Sequence, residues 1–376
     1  MNSLAIAATH PIQYYAPIYR ELARRAGLRF KVFYHHFPNA REQGEEFDVP
    51  FQWDIDLLSG YESAEGEMAI HELLDGMSSR SWTSVMVHGW YDSFSRRIIK
   101  HAWQTRTPIF VRSDSHLYTP RSVWRSLIKI PIYRYFLQRF SRCLAVGTWS
   151  AEYYRHYGVK PERIIFSPHC VDQENLKRAV AEQATRRTEL REEWGIPKDA
   201  FVFLSVGKMI TRKRIEDFIL ACAACQKELP QTHALLVGDG HLKNHLQEVA
   251  RSHGVKASFV GFLNQSRIAQ AYLAGDCFVL ASEIETWGLV VNEALACNRP
   301  CIVSDLVGCA IDMIIPGITG LTYPCKDVKA LSEAMKQVAG GSISFDPNHP
   351  GWRDLMQKHS CQAAADGIIK AVEESR

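Results

Sequence analysis

At 376 residues the chain is too long for one ordinary core, and length alone sets an expectation of two domains. Apolar residues make up 46% and charged residues 23%, a globular balance, and a net charge of +3 is too small to argue for nucleic acid. No apolar run reaches the roughly 18 residues of a membrane-crossing helix, and MNSLAIAATHPIQYY lacks the basic start of a secretion signal. The expected location is therefore cytoplasmic. The ten cysteines are scattered, several of them in apolar company (Cys277, Cys301), and Cys222 and Cys225 form a lone CxxC without a second pair. They read as small buried residues in a reducing compartment, with no metal site.

Taken in order, the first half alternates short apolar strands with helices. SLAIAAT reads as a strand, PIYRELARR as a helix and RFKVFYHH as a second strand. SVMVHGW and PIFVRSD are further strands around the helix DSFSRRIIKHAW, and CLAVGTWS leads into AEYYRHYG and RIIFSPH. A charged helical stretch, Gln173 to Asp199, then breaks at Gly-Ile-Pro, and the alternation restarts from FVFLSVG through ALSEAMKQVAG. Such alternation predicts two doubly wound α/β domains, with ligands at the carboxyl ends of their strands, facing each other across a cleft.

Two stretches carry candidate chemistry. SEIETWGLVVNEALAC places Glu285 and Glu293 eight positions apart around Gly288, where a helix begins after the strand CFVLAS. A helix N-terminus with a glycine binds phosphate well, and flanking carboxylates accept hydrogen bonds from hydroxyls. This suits a molecule with phosphates in the middle and hydroxyls at both ends, such as a nucleotide sugar. SVGKMITRKRIEDFI ends a strand at Gly207 and sets Lys208 and Lys213 in the following loop, where two cations would neutralise a departing diphosphate. LLVGDGHL adds another glycine-rich strand end at Gly238.

With these motifs in view, the second half resembles family 4 of the retaining glycosyltransferases, whose GT-B fold pairs two Rossmann-like domains around a cleft. The carried pieces are E-x7-E at Glu285 and Glu293, the two cations Lys208 and Lys213, and VGDGHL, VGFLNQ and PGITGLTYP in the family's order. The resemblance implies an N-terminal acceptor-binding domain over 1–172, an entry helix over 173–198, a nucleotide-sugar domain over 199–350, and a C-terminal helix over 351–376 packing back on the first domain. It implies donor contacts from Gly207, Gly238, Gly261, Phe262, Trp287, Gly288, Leu289 and Glu293. Catalytic roles would fall to Lys208, Lys213 and Glu285, with Asp114 and His116 beside the reacting groups, and acceptor contacts to His10 and Gln13. The glycine-rich loop usual after the first strand is replaced by THPIQYYAP, and His169-Cys170 stands where the family has Asn-Gly.

The implied reaction moves a sugar from a nucleotide-diphosphate sugar, UDP first and GDP next, to a glycan, glycolipid or small-molecule acceptor, with no cofactor and no metal. Asp54 and Asp56 form a D-x-D, but their alternation reads as a strand with its polar face outward. A NAD-dependent oxidoreductase would need a G-x-G-x-x-G opening a βαβ unit, which is missing. A nucleotide-sugar epimerase and a non-catalytic binding protein remain the alternatives. The segment 121–142 carries Arg121, Arg125, Lys129, Arg134, Arg139 and Arg142 among aromatics and without acids. It is expected to break or kink at Pro131 into two short amphipathic pieces, and either to pack on the first domain or to contact an anionic membrane peripherally on its cytosolic face.

Overall fold

The computed structural model describes residues 2–44, 49–118 and 123–375. Thirteen named strands form two wholly parallel sheets. The first takes β1 (Asn2–Ala8), β2 (Leu28–Tyr34), β3 (Ser63–Glu65), β4 (Ser84–His88), β5 (Ile109–Ser113), β6 (Arg142–Ala145) and β7 (Ile164–Phe166) in the order β3-β2-β1-β4-β5-β6-β7. The second takes β8 (Phe201–Val206), β9 (Thr232–Val237), β10 (Ala257–Gly261), β11 (Cys277–Leu280), β12 (Cys301–Ser304) and β13 (Gly320–Tyr323) in the order β10-β9-β8-β11-β12-β13. The strand order reverses beside β1 and beside β8. In doubly wound sheets ligands sit at the carboxyl ends next to such a reversal.

The chain divides into two compact units that differ from a simple halving. The first comprises Met1–Pro38, Asp56–Val171 and Lys358–Arg376; the second comprises Asn39–Ile55 and Asp172–Gln357. The segment Asn39–Ile55 thus belongs with the second unit. There Phe51 packs on Phe262 with ring centroids 4.5 Å apart, Asn264 Nδ2 donates to the Gln52 carbonyl at 2.6 Å, and Asp54 accepts from the Ser266 amide at 3.0 Å.

The strands alternate sides as buried parallel strands must. In the first unit Ala5, Ala7, Val85, Val87 and Val111 face one core, while Leu4, Ile6, Met86, Phe110 and Leu144 face the other. The helix Cys361–Glu373 covers this second face with Ala364, Ala365, Ile368 and Ala371. Gly367 permits the approach, because a Cβ there would lie 2.2 Å from the Phe166 carbonyl oxygen.

Two local expectations are corrected. Pro131 does not end its helix, which runs unbroken from Val123 to Leu137. Ile130, Tyr133 and Phe136 pack against the first core and Leu137 is buried, so tertiary packing outweighs the hydrogen bond that proline removes. Lys129 donates to the Tyr153 hydroxyl at 3.0 Å, while Ile132 and Tyr135 are exposed. Arg121 and the side chains of Trp124, Arg125, Leu127 and Ile128 lie outside the described residues. Residues 53–58, read as a strand, form none. Asp54 instead binds the loop at Ser266, and Asp56 accepts from the amides of Leu58 and Ser59 at 3.0 Å each; a bond from the Ser59 side chain, then these amides, hold its carboxyl down at about 2. No described helix is long and apolar enough to cross a membrane.

Candidate functional site

At the carboxyl edge of the second sheet three glycines end three neighbouring strands. Gly207 (φ 148°), Gly238 (φ 138°) and Gly261 (φ 83°) all take conformations that favour glycine. Gly207 N donates to Val237 O at 2.9 Å and Gly238 N to Gly261 O at 2.8 Å, which draws the strand ends into a row. A Cβ on Gly238 would sit 1.9 Å from the Gly207 carbonyl oxygen. The row leaves a backbone surface without side chains, as close approach of a ligand requires.

Lys208 follows this row directly and is half-buried. Lys213 closes a single 3₁₀ turn, Thr211–Lys213, and its ammonium is ion-paired with Glu285 Oε2. Both side chains are largely covered, at 15% and 17% exposure, so Lys213 is not the freely exposed loop residue that its sequence context suggests. Arg214 (φ 49°) fixes the loop by a two-pronged bond to Asp217, at 2.6 and 2.8 Å, and Glu283 N donates to Arg212 O at 2.9 Å. The loops after β8 and β11, 72 residues apart in sequence, are thereby fastened together around one cation and one carboxylate.

Glu285 is also held from the other side, through a bridge to Val307 and a bond from Gly308 N to its carbonyl at 2.9 Å. The chain then turns at Gly288 (φ 100°) into the helix Leu289–Ala296, which has no acidic residue in its first turn and no side-chain cap. Such an end favours an anion through its N–H groups and dipole. A Cβ on Gly288 would crowd Val307 Cγ1 at 3.1 Å and Leu280 Cδ2 at 3.2 Å. Leu289 is half-buried at this turn. Trp287 points inward at 4% exposure, its indole N–H donating to Asn292 Oδ1 at 2.9 Å. It braces the turn from within.

Glu293 is 2% exposed and accepts from the Tyr272 hydroxyl at 2.6 Å. Tyr272 belongs to Ile268–Ala274 and carries no sequence signal for this role. Beside Glu293, burial and then the carboxylate charge push the Cys297 thiol up to about 12. Phe262, just past Gly261, is half-buried beneath Phe51.

The expected residues of the first unit gather at the carboxyl ends of its strands but do not all meet. Asp114 Oδ2 lies 3.9 Å from His169 Nε2, and burial, then the Arg112 guanidinium, depresses the His169 pKa. His116 is 4% exposed, accepts from the Tyr118 amide at 3.2 Å and sits 5.3 Å from the Trp149 ring. His10 is half-buried, 3.1 Å from Thr9 Oγ1, with its pKa lowered by burial and then by His36. Gln13 is 8% exposed. Unforeseen is Arg112, 2% exposed on β5, which donates to Ser167 O at 3.2 Å and Pro168 O at 2.6 Å. It pins the chain around His169, and burial, then the Arg112 charge, holds His88 down at about 3. Among the described residues no cluster of three or more His, Cys, Asp or Glu could hold a metal ion.

Residues 186–342 match the family model described as Glycosyl transferases group 1. An alpha-D-kanosaminyltransferase from Streptomyces kanamyceticus is 27% identical over 160 residues, 42% of this chain and 41% of that protein. The sulfoquinovosyl transferase SQD2 of Arabidopsis thaliana is 32% identical over 202 residues, 53% of this chain and 37% of that one. The chain thus matches under half the length of these relatives. Among solved structures, the Anabaena HepE protein in complex with UDP and glucose superposes with a TM-score of 0.71 at 16% identity, covering 100% of both chains. A glycosyltransferase from Rickettsia africae gives 0.72 at 14%, covering 100% of this chain and 98% of that one. The fold is GT-B.

Proposed function

We infer, from a second unit whose residues 186–342 match the family model of the group 1 glycosyl transferases, that this chain transfers a sugar from a nucleotide-diphosphate sugar to a hydroxyl acceptor. The observation that carries the reading is the Lys213–Glu285 pair, set beside the row Gly207, Gly238, Gly261 and the uncapped helix start at Gly288. The diphosphate would lie on the glycine row and the first turn of Leu289–Ala296. Glu293 and Tyr272 would meet the ribose, and Glu285 the hydroxyls of the transferred sugar. As the anomeric carbon–oxygen bond breaks, its electron pair goes to the diphosphate, where Lys208 and Lys213 offset the growing charge. The acceptor oxygen attacks the same face and gives its proton to a departing phosphate oxygen, so the anomeric configuration is kept.

Charge stabilisation in this scheme comes from ammonium groups and backbone, so no metal is needed. Asp54 and Asp56 are each bound into separate loops, and turnover should persist in excess EDTA. UDP is the favoured base and GDP the next. A glycan, a glycolipid or a small molecule can serve as the acceptor, oriented by Asp114, His169, His10 or Gln13. Exposed Ile132 and Tyr135 on a basic helix support peripheral contact with an anionic membrane. Sedimentation with anionic but not neutral vesicles would test that contact.

Calorimetry separates the roles of the two carboxylates. Glu293→Gln should weaken nucleoside diphosphate and intact donor alike, since both contain ribose. Glu285→Gln should weaken transfer and leave nucleoside diphosphate affinity nearly unchanged. Equal loss of nucleotide affinity in both variants would overturn the division, and failure of UDP-, GDP- and ADP-sugars alike to raise the melting temperature would overturn the donor class.

A further inference from the structure

We propose that Cys170 and Cys361 form a redox modification site in the first unit, closing to an intramolecular disulfide by exchange with a low-molecular-weight disulfide such as oxidised glutathione. The two sulfurs lie 3.5 Å apart across 191 residues of sequence, and both cysteines are free thiols. A bond needs them at about 2.05 Å, with Cβ atoms about 3.8 Å apart. The missing distance of about 1.5 Å is within reach of one side-chain rotation. Cys361 is placed to make it: it is half-buried and is the first residue of the helix Cys361–Glu373, after the cap Ser360, whose Oγ accepts from Ala363 N at 3.1 Å. Its thiol points at the Val171 carbonyl at 3.3 Å, beside the partner cysteine.

Cys170 is itself buried, and Cys361 is the partly exposed member of the pair, the one an external disulfide can reach. Cys143, Cys222, Cys225, Cys277, Cys297, Cys301 and Cys309 are buried, and burial pushes their thiols up, away from the reactive thiolate. Cys325 is half-buried, and its thiol is raised too.

The exchange balances in two steps. The Cys361 thiolate attacks one sulfur of oxidised glutathione, forming a mixed disulfide and expelling a glutathione thiolate. The Cys170 sulfur, having lost its proton to solvent, attacks Cys361 Sγ and expels the second glutathione. Two protein thiols are oxidised, one external disulfide is reduced to two thiols, and the two protons end on glutathione. Cys170 stands two residues before the chain leaves the first unit, after Val171, and Cys361 three residues after it re-enters at Lys358. The bond would close a covalent ring around Asp172–Gln357, restricting the unfolded chain and stabilising the first unit.

The full chain, fully reduced and native, would be treated with oxidised glutathione, then alkylated and peptide-mapped. A peptide pair joined through Cys170 and Cys361 is expected, separated again by dithiothreitol and missing from C361S, but retained in C325S. The melting temperature of the oxidised wild type should rise by roughly 5 °C, with no rise in C361S. A glutathione adduct that stops at Cys361, a cross-link through any other cysteine, or two fully alkylated thiols would each overturn the proposal.

Discussion

Lys213→Ala should lower kcat by about 100-fold or more while leaving the melting temperature within a few degrees of wild type, the scale for losing one preorganised charge-stabilising group. The ammonium sits where the loops after β8 and β11 are fastened, mostly covered and paired with Glu285. Burial of this degree reduces water's screening, so a charge that appears on the diphosphate only as the bond breaks feels the cation strongly. The ground state gains less, because the same cation already has a partner. The loss should therefore fall on kcat more than on KM. The loop itself should survive, since Arg214 anchors it to Asp217 independently. Lys213 and Glu285 touch, so Lys213→Ala and Glu285→Gln should combine with a smaller loss than the two singles predict. Full activity in the Lys208→Ala, Lys213→Ala double variant would remove both lysines from the chemistry.

Gly238→Ala should be the most damaging single methyl in the second unit. The added carbon would stand 1.9 Å from the Gly207 carbonyl oxygen, a backbone atom that cannot swing away. The residue would also have to hold φ at 138°. Overpacking costs roughly 1–3 kcal/mol, and a strained backbone roughly another 1–3 kcal/mol. The sheet can relieve both by parting the ends of β8 and β9, which destroys the glycine row. Two readouts should move together: the melting temperature falls, and UDP affinity drops at least tenfold even where the protein remains folded. Gly254→Ala serves as the control, because it also has positive φ (63°) but nothing within 4 Å of a Cβ. If the two variants bind nucleotide equally well, the glycine row does not carry the diphosphate.

The alternation of strand and helix was legible because strands buried on both faces must be short apolar runs, as LAIAA and FLSV are. Lys213 and Glu285 stood out as candidates for a related reason: each follows such a run by a few residues, where doubly wound sheets collect ligands. What escaped reading was fixed by contacts distant in sequence. Tyr272 reaches Glu293 from a neighbouring helix, and Phe51 reaches Phe262 across more than 200 residues, and neither pair leaves a periodicity. Trp287, a donor contact by resemblance, is buried with its N–H on Asn292, five residues on. The D-x-D misled for a local reason, since an aspartate that caps a loop and one that alternates along a strand share the same spacing. The division between the units even falls between them, Asp54 with the second and Asp56 with the first.

The placement of Cys361–Glu373 bears on how the molecule is made. β1 leaves the ribosome long before Cys361–Glu373, and although Ile18, Tyr19 and Leu22 cover part of one face of its sheet early, Ala364, Ala365, Ile368 and Ala371 complete that core only when this later helix emerges. The second unit has all of its segments, Asn39–Ile55 and Asp172–Gln357, before that point. The unit begun first is therefore finished last, the reverse of the usual N-to-C order of assembly on the nascent chain. Until then Leu4, Ile6, Met86, Phe110 and Leu144 offer an apolar surface whose cover is only partly made. That interval, set by topology and not by any weakness of the finished core, is when this protein is most exposed to aggregation and most dependent on chaperones.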